Sequence, residues 1–292
     1  MNMKKKLFAL LALVMTAMTA SAYDLTVGTT EHGTLTFKVG NNTVSAASEG
    51  DVVTVEVNAG KGYIGKSVTA RAYTSFGGMK SPRRAQSINL LDWQTVTAVS
   101  DSVYTFTMPA ANVVVNADYD HRALTNDMIH AIADQTWTGS AVTPTLVVTD
   151  REYTLTEGTD YTVSYTNNVD KGVSTATATI TAKTEGNADY YLGTASASFS
   201  IRKTITGLTA YAVSSEEHPI IYNGNEQEPE VVVRDVRETL VRDVDYTVAY
   251  QDNVNAGQAQ FTVTGIGTYQ GELTAYFLIN TRDLSSEMIA PV

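Results

Sequence analysis

A few aspartates, four histidines, a set of aromatic rings and one short basic cluster are the residues here whose chemistry could serve a function. Asp150, Asp160, Asp235 and Asp245 stand beside turn residues. Calcium takes six to eight oxygens, usually from clustered carboxylates. No Asp-x-Asp-x-Asp loop groups these acids, so they read as turn and cap formers. His32, His121, His130 and His218 are scattered, and none has a partner at the i, i+4 spacing of a helical zinc site. Cysteine is absent, which removes thiol nucleophiles, cysteine-bound zinc and disulfides. The sequence holds no Gly-x-Ser-x-Gly elbow, no His-Glu-x-x-His and no phosphate-cradling glycine loop. A glycosidase-type carboxylate pair needs two acids brought together by the fold, and the acids here are spread along strands and turns. These residues predict no catalytic centre, no metal and no cofactor.

Binding is the chemistry that remains. Exposed rings stack on sugar faces while polar neighbours bond the hydroxyls. Tyr73, Phe76 and Trp93 flank or enter the stretch Thr74 to Ser87, which also carries Lys80, Arg83 and Arg84. These six are the candidate ligand-binding residues, and a surface glycan or protein of host or bacterium is the expected partner. Tyr63, Tyr190 and Tyr191 read as further loop aromatics, whereas Trp137 reads as core. The net charge of −11, from 20 Lys+Arg against 31 Asp+Glu, speaks against nucleic acid, which selects a basic face.

Short strands must position these residues. Asp51 to Val57, Tyr104 to Met108, Tyr161 to Tyr165, Thr175 to Ile180, Ala195 to Ile201 and Gln260 to Thr264 alternate apolar with polar. Valine, threonine and tyrosine fill them, as a pleated, half-buried surface favours. Glycine, asparagine and aspartate mark turns between them, so the fold class is all-β, in small tandem modules. Met128, Ile129 and Ile132 read as a strand entering a module, with one helical turn as the alternative. Residues 1–22 read as a signal peptide: Lys4, Lys5 and Lys6, then apolar Leu7 to Met15, then Ala20-Ser-Ala22 as the cleavage site. Loss of its three lysines takes the net charge from −11 to −14. An exported chain without an integral membrane span is expected, with no thioether-linked lipid.

Two segments repeat. Trp137-Thr-Gly and Pro144 match Tyr222-Asn-Gly and Pro229 at an offset of 85. The same offset joins Asp150 to Asp235, Asp160-Tyr-Thr-Val163 to Asp245-Tyr-Thr-Val248, Tyr165 to Tyr250 and Asn168 to Asn253. Phe199 then meets Phe277 at an offset of 78, so the first copy holds seven extra residues, which the sequence places in a longer hairpin at Lys183 to Asp189. The repeated residues are hairpin builders, which favours a spacer over a catalyst. Independent modules predict protease-sensitive junctions near Asp120–Asn126 and Lys203–Gly207, and a sensitive loop near Lys80–Arg84.

The repeated pattern, from the aromatic two before Gly139 or Gly224 to Phe199-Ser-Ile201 or Phe277-Leu-Ile279, resembles Ig-like repeats found in tandem in exported surface proteins of anaerobic gut and oral bacteria. Residues 23–119 resemble an internalin-type B-repeat through Gly33-Thr-Leu-Thr-Phe37, Glu49-Gly-Asp51, Gly62-Tyr63 and Thr105-Phe-Thr-Met-Pro-Ala110. Between the signal peptide (1–22) and a flexible tail (282–292), the resemblance implies a B-repeat-like module (23–119) and Ig-like sandwiches at 124–203 and 204–281. It also implies an exported, non-enzymatic structural or adhesive protein. Glycan binding through the loops of the first module is the alternative.

Overall fold

The computed structural model describes residues 21–75, 88–185, 190–236 and 238–283. The protein is all-β: among the described residues the only helical element is a single 3-10 turn, Asn126–Met128. The chain divides into two compact units, the first ending at Arg122 and the second beginning at Ala123.

The first unit comprises β1 (Ala22–Val27), β2 (Gly33–Val39), β3 (Asn42–Thr43), β4 (Ala46–Ser48), β5 (Val52–Ala59), β6 (Tyr63–Ser75), β7 (Ile88–Gln94), β8 (Thr97–Ser100), β9 (Val103–Thr107) and β10 (Asn112–His121). They build two five-stranded sheets, ordered β4-β1-β10-β6-β7 and β3-β2-β5-β9-β8. Alternation decides the inner faces. Val53, Val55 and Val57 of β5 point inward with Phe37 and Phe106, and meet Val68, Ala70, Val113 and Val115 of the other sheet in one core. Burying each valine contributes about 1.5–3 kcal/mol. β7 and β8 close one edge of each sheet.

The second unit begins with β11 (Gln135–Thr136), β12 (Val148–Asp150), β13 (Tyr153–Leu155), β14 (Tyr161–Thr166), β15 (Gly172–Ala182) and β16 (Thr194–Thr204). It continues with β17 (Thr209–Ala212), β18 (Val231–Asp235), β19 (Glu238–Thr239), β20 (Tyr246–Gln251), β21 (Gly257–Gly265), β22 (Tyr269–Gln270) and β23 (Glu272–Ile279). It holds two cores. Ile180, Phe199, Ile201, Val148 and Tyr161 anchor one; Phe261, Val263, Ile279, Val233 and Tyr246 anchor the other. The sequence repeat is thus a structural repeat. Sheet β14-β15-β16 with hairpin β12-β13 recurs as sheet β20-β21-β23 with β17-β18-β19.

Repeated residues make repeated bonds. The Tyr165 hydroxyl donates to the Pro144 carbonyl, and Tyr250 to Pro229, each at 2.5 Å. Asn168 and Asn253 donate from their amides to the carbonyls of Val142 and Gln227. Asp160 and Asp245 accept the backbone N–H groups of Thr156 and Val241, at 2.7 and 2.8 Å, and so hold the turn before each sheet. The seven extra residues are divided, contrary to the single long hairpin expected. In the first copy Gly172 pairs with Ile201 and Ala176 with Phe199, a bulge. In the second Gly257 pairs with Ile279 and Ala259 with Phe277, without one. That bulge takes up part of the excess, and the rest lies between Ala182 and Thr194. The segment at Met128 is also mixed. Asn126–Met128 makes the 3-10 turn, Met128 is buried, and Ile129 bridges to Val148.

The outward faces of the two sheets differ. Thr162 pairs with Thr181 and Thr181 with Thr194. The next rows are Ser164, Thr179 and Ser196, then Thr166, Thr177 and Ser198. Every position of this three-by-three grid bears a hydroxyl. The matching rows of the second copy read Thr247, Thr264 and Glu272; Ala249, Thr262 and Thr274; Gln251, Gln260 and Tyr276.

Candidate functional site

Of the six sequence-predicted binding residues, Tyr73 and Trp93 are described; Phe76, Lys80, Arg83 and Arg84 lie outside the described residues. Tyr73 is on β6, and its hydroxyl shares a 2.9 Å hydrogen bond with Thr26 on β1. That bond ties two strands across the intervening β10, so Tyr73 serves the sheet. Trp93 is different. It lies on β7, the outermost strand, and is 59% exposed. The Arg71 guanidinium sits 5.0 Å from its ring centroid and donates from Nε to the Leu91 carbonyl at 2.9 Å. This cation–π contact contributes about 0.5–1 kcal/mol at an exposed site and steadies the indole. Leu90 and Leu91 beside it are also exposed. The hairpin edge thus offers an aromatic plane, aliphatic neighbours and a guanidinium. These can stack on a sugar ring or seat an apolar partner.

A second cluster in the first unit escaped the sequence reading. His32 stacks on Tyr63 with centroids 3.9 Å apart and planes 8° apart, and the His121 ring centroid lies 4.6 Å from that of Tyr63, tilted by 31°. Tyr63 is buried, so it is no loop aromatic. His32 also meets Tyr119 edge-on at 6.5 Å. A cleft of about 370 Å³ opens here, lined by Thr29, Glu31, His32, Ala117, Asp118 and Tyr119. The Tyr119 hydroxyl is buried without a hydrogen-bond partner among the described residues, and burial raises its pKa. A Cβ on Gly33 would stand 2.6 Å from that hydroxyl, so the approach requires glycine. Sequence could not reveal this cluster, because its rings come from β6, β10 and the loop before β2.

The third cluster lies between the two repeats. Asp150 and Asp235 are buried, which a surface turn residue is not. Tyr191 donates to Asp150 at 3.0 Å, and Tyr269 to Asp235 at 3.3 Å. Both tyrosines are buried, so Tyr191 is core where the sequence suggested a loop aromatic. The signal was present: Tyr191 and Tyr269 stand 78 apart, the offset of Phe199 and Phe277. In the second copy the pair meets the first. Lys203, at the end of β16, reaches Asp235 at 2.7 Å and lies 4.7 Å from the Trp137 ring centroid. Lys171 donates to the Tyr269 hydroxyl at 2.5 Å and pairs with Glu238 at 3.3 Å. Two lysines thus neutralise two acids around one phenol. Desolvation, then Glu238 and Asp235, push the Tyr269 pKa far above its ordinary value, so it remains a hydrogen-bond donor. The charges of this junction balance, with Asp235 buried and Glu238 at its exposed rim.

Backbone pairing reinforces the junction. Lys203 and Thr204 pair in parallel with Tyr269 and Gln270, and Ile205 is fully buried in the second core. The expected protease-sensitive linker at Lys203–Gly207 is therefore strand at its start, followed by a core residue.

Among the described residues no group of three or more His, Asp or Glu is placed to hold a metal ion, and no helix is long and apolar enough to cross a membrane. Set against protein-family models the chain matches none, and a search of curated proteins returns no match.

Proposed function

We propose that this is an exported, non-enzymatic surface or secreted protein, a structural and adhesive spacer of tandem β modules. In this reading residues 1–22 are removed on export, the first unit is a B-repeat-like module, and the two repeats are Ig-like. The observation that carries it is the junction. One strand, β16, closes the first repeat's core and then pairs with the second repeat, while Lys171 and Lys203 clamp Asp235, Glu238 and Tyr269. A pair of copies joined this way holds a fixed separation, as a spacer requires. The repeated side chains are spent on turns and clasps of their own backbone, which supports a structural role.

The test is fractionation of the native cell with N-terminal sequencing. Recovery at the surface or in the medium, beginning at Tyr23, supports the reading. A cytoplasmic protein beginning at Met1 overturns export, and turnover of a polysaccharide or peptide by the pure chain overturns the non-enzymatic role.

The exposed Trp93 with its stacked Arg71 favours a second reading, glycan binding by the first unit. A glycan array separates the two: binding that disappears in Trp93→Ala assigns the ligand to the hairpin edge.

A further inference from the structure

The hydroxyl grid on sheet β14-β15-β16 points to a partner. Neighbouring strands stand about 4.8 Å apart, and same-face residues along a strand about 6.8 Å apart. The grid is thus a regular two-dimensional array of groups, each able to donate and to accept a hydrogen bond. Six of the nine are threonines, which set a methyl beside each hydroxyl. No ionisable group and no amide interrupts the array, in a chain whose net charge is −11. Thr162, Thr166, Thr181 and Ser198 are exposed, and the central Thr179 is half-buried among its neighbours.

The second copy shows that the fold does not demand this. On the same strands, in the same register, it accepts glutamate, glutamine, alanine and tyrosine. Strand propensity and solubility alone therefore leave the uniformity unexplained.

We infer that this face binds a neutral polysaccharide laid flat across the strands. A charged polymer finds no counter-charge on it. A protein partner finds none of the tryptophan, tyrosine or arginine anchors that dominate such interfaces. A neutral glycan presents what the grid lacks nothing to answer: many uncharged hydroxyls that both donate and accept, with C–H patches that fit the threonine methyls. Each contact is weak, so affinity comes from several sugars at once. Long chains bind and monosaccharides do not. The surface lies on the second unit, apart in sequence from Trp93, and the inference does not depend on the spacer role.

The test is native electrophoresis of the full exported chain through gels cast with a β-glucan, a mannan or an arabinoxylan, with polygalacturonate as the charged control. At least one neutral polymer should retard the wild-type chain. The variant Thr162→Val, Thr177→Val, Thr179→Val, Thr181→Val keeps shape and strand propensity while deleting four hydroxyls; retardation should fall at least fivefold. Thr179→Ser, which keeps its hydroxyl, and the second-copy pair Thr262→Val and Thr274→Val should behave as wild type. A circular dichroism spectrum and melting temperature matching the wild type show that the valine variant is folded. Free passage of the wild-type chain through every neutral gel overturns the inference. So does undiminished retardation of the valine variant, or retardation abolished by Trp93→Ala alone.

Discussion

In the first repeat the buried hydroxyl of Tyr191 meets Asp150; in the second its counterpart, Tyr269, meets Asp235 and Glu238 and accepts from Lys171. The tyrosine–aspartate pair is common to both copies, and so are the clasps from Tyr165 and Tyr250 to a proline carbonyl. The second copy uses its pair to receive two lysines of the first. A packing element internal to one module has become the contact between modules. The outward faces diverge the other way. There the first copy is uniform and the second mixed, although the cores beneath match residue for residue at several positions.

The comparison can be broken most directly at the second core. Phe261→Ala empties a fully buried site and costs about 3–5 kcal/mol. If the junction couples the copies, amide exchange should also quicken along β16, read by hydrogen-exchange mass spectrometry. Unchanged protection there would show two independent beads. Asp235→Ala leaves Lys203 and the Tyr269 hydroxyl without their acceptor and costs about 3 kcal/mol. It should also turn the bond after Lys203 into an early trypsin site, whereas the wild-type chain is cut there only once unfolded. Early cleavage of the wild type would mean the strand is not held.

A smaller gain comes from Val236. It occupies the left-handed region, with φ of 49°, at the turn where the first copy has Arg151 with φ of 54°. A β-branched residue is strained there, while asparagine tolerates the region. Val236→Asn should stabilise the second copy by about 1 kcal/mol in thermal unfolding, with less to gain at Arg151. The smallest effect is confined to alkali. The folded protein raises the Tyr269 pKa above the ordinary phenol value of about 10. The stability tied to its protonated form is complete below that value and falls as the pH climbs beyond it. Tyr269→Phe should flatten this alkaline decline; an identical slope in both proteins would remove Tyr269 as its source.

The strands and turns were legible because their signals are local. Alternation in Val52 to Ala59 and the repeated Asp-Tyr-Thr-Val both concern neighbours in the chain. The repeat itself could be read from a constant offset. What could not be read depends on register. Asp235 meets Tyr269 across 34 residues, and the hydroxyl grid emerges only when three strands are aligned past a bulge at Gly172–Ala176. The aromatic residues divide similarly. Trp93 is exposed on the outermost strand, whereas Tyr63 and Tyr191 are buried by partners from distant strands.

The parallel pairing of β16 with β22 bears on how the chain carries force. When a chain is pulled from its ends, antiparallel hairpins unzip one hydrogen bond at a time. Parallel strands pulled from opposite ends are sheared, and their bonds must fail together. β11 against β16, and then β16 against β22, give the repeats this shear geometry in succession. Joints so built yield to tension only when several hydrogen bonds break together.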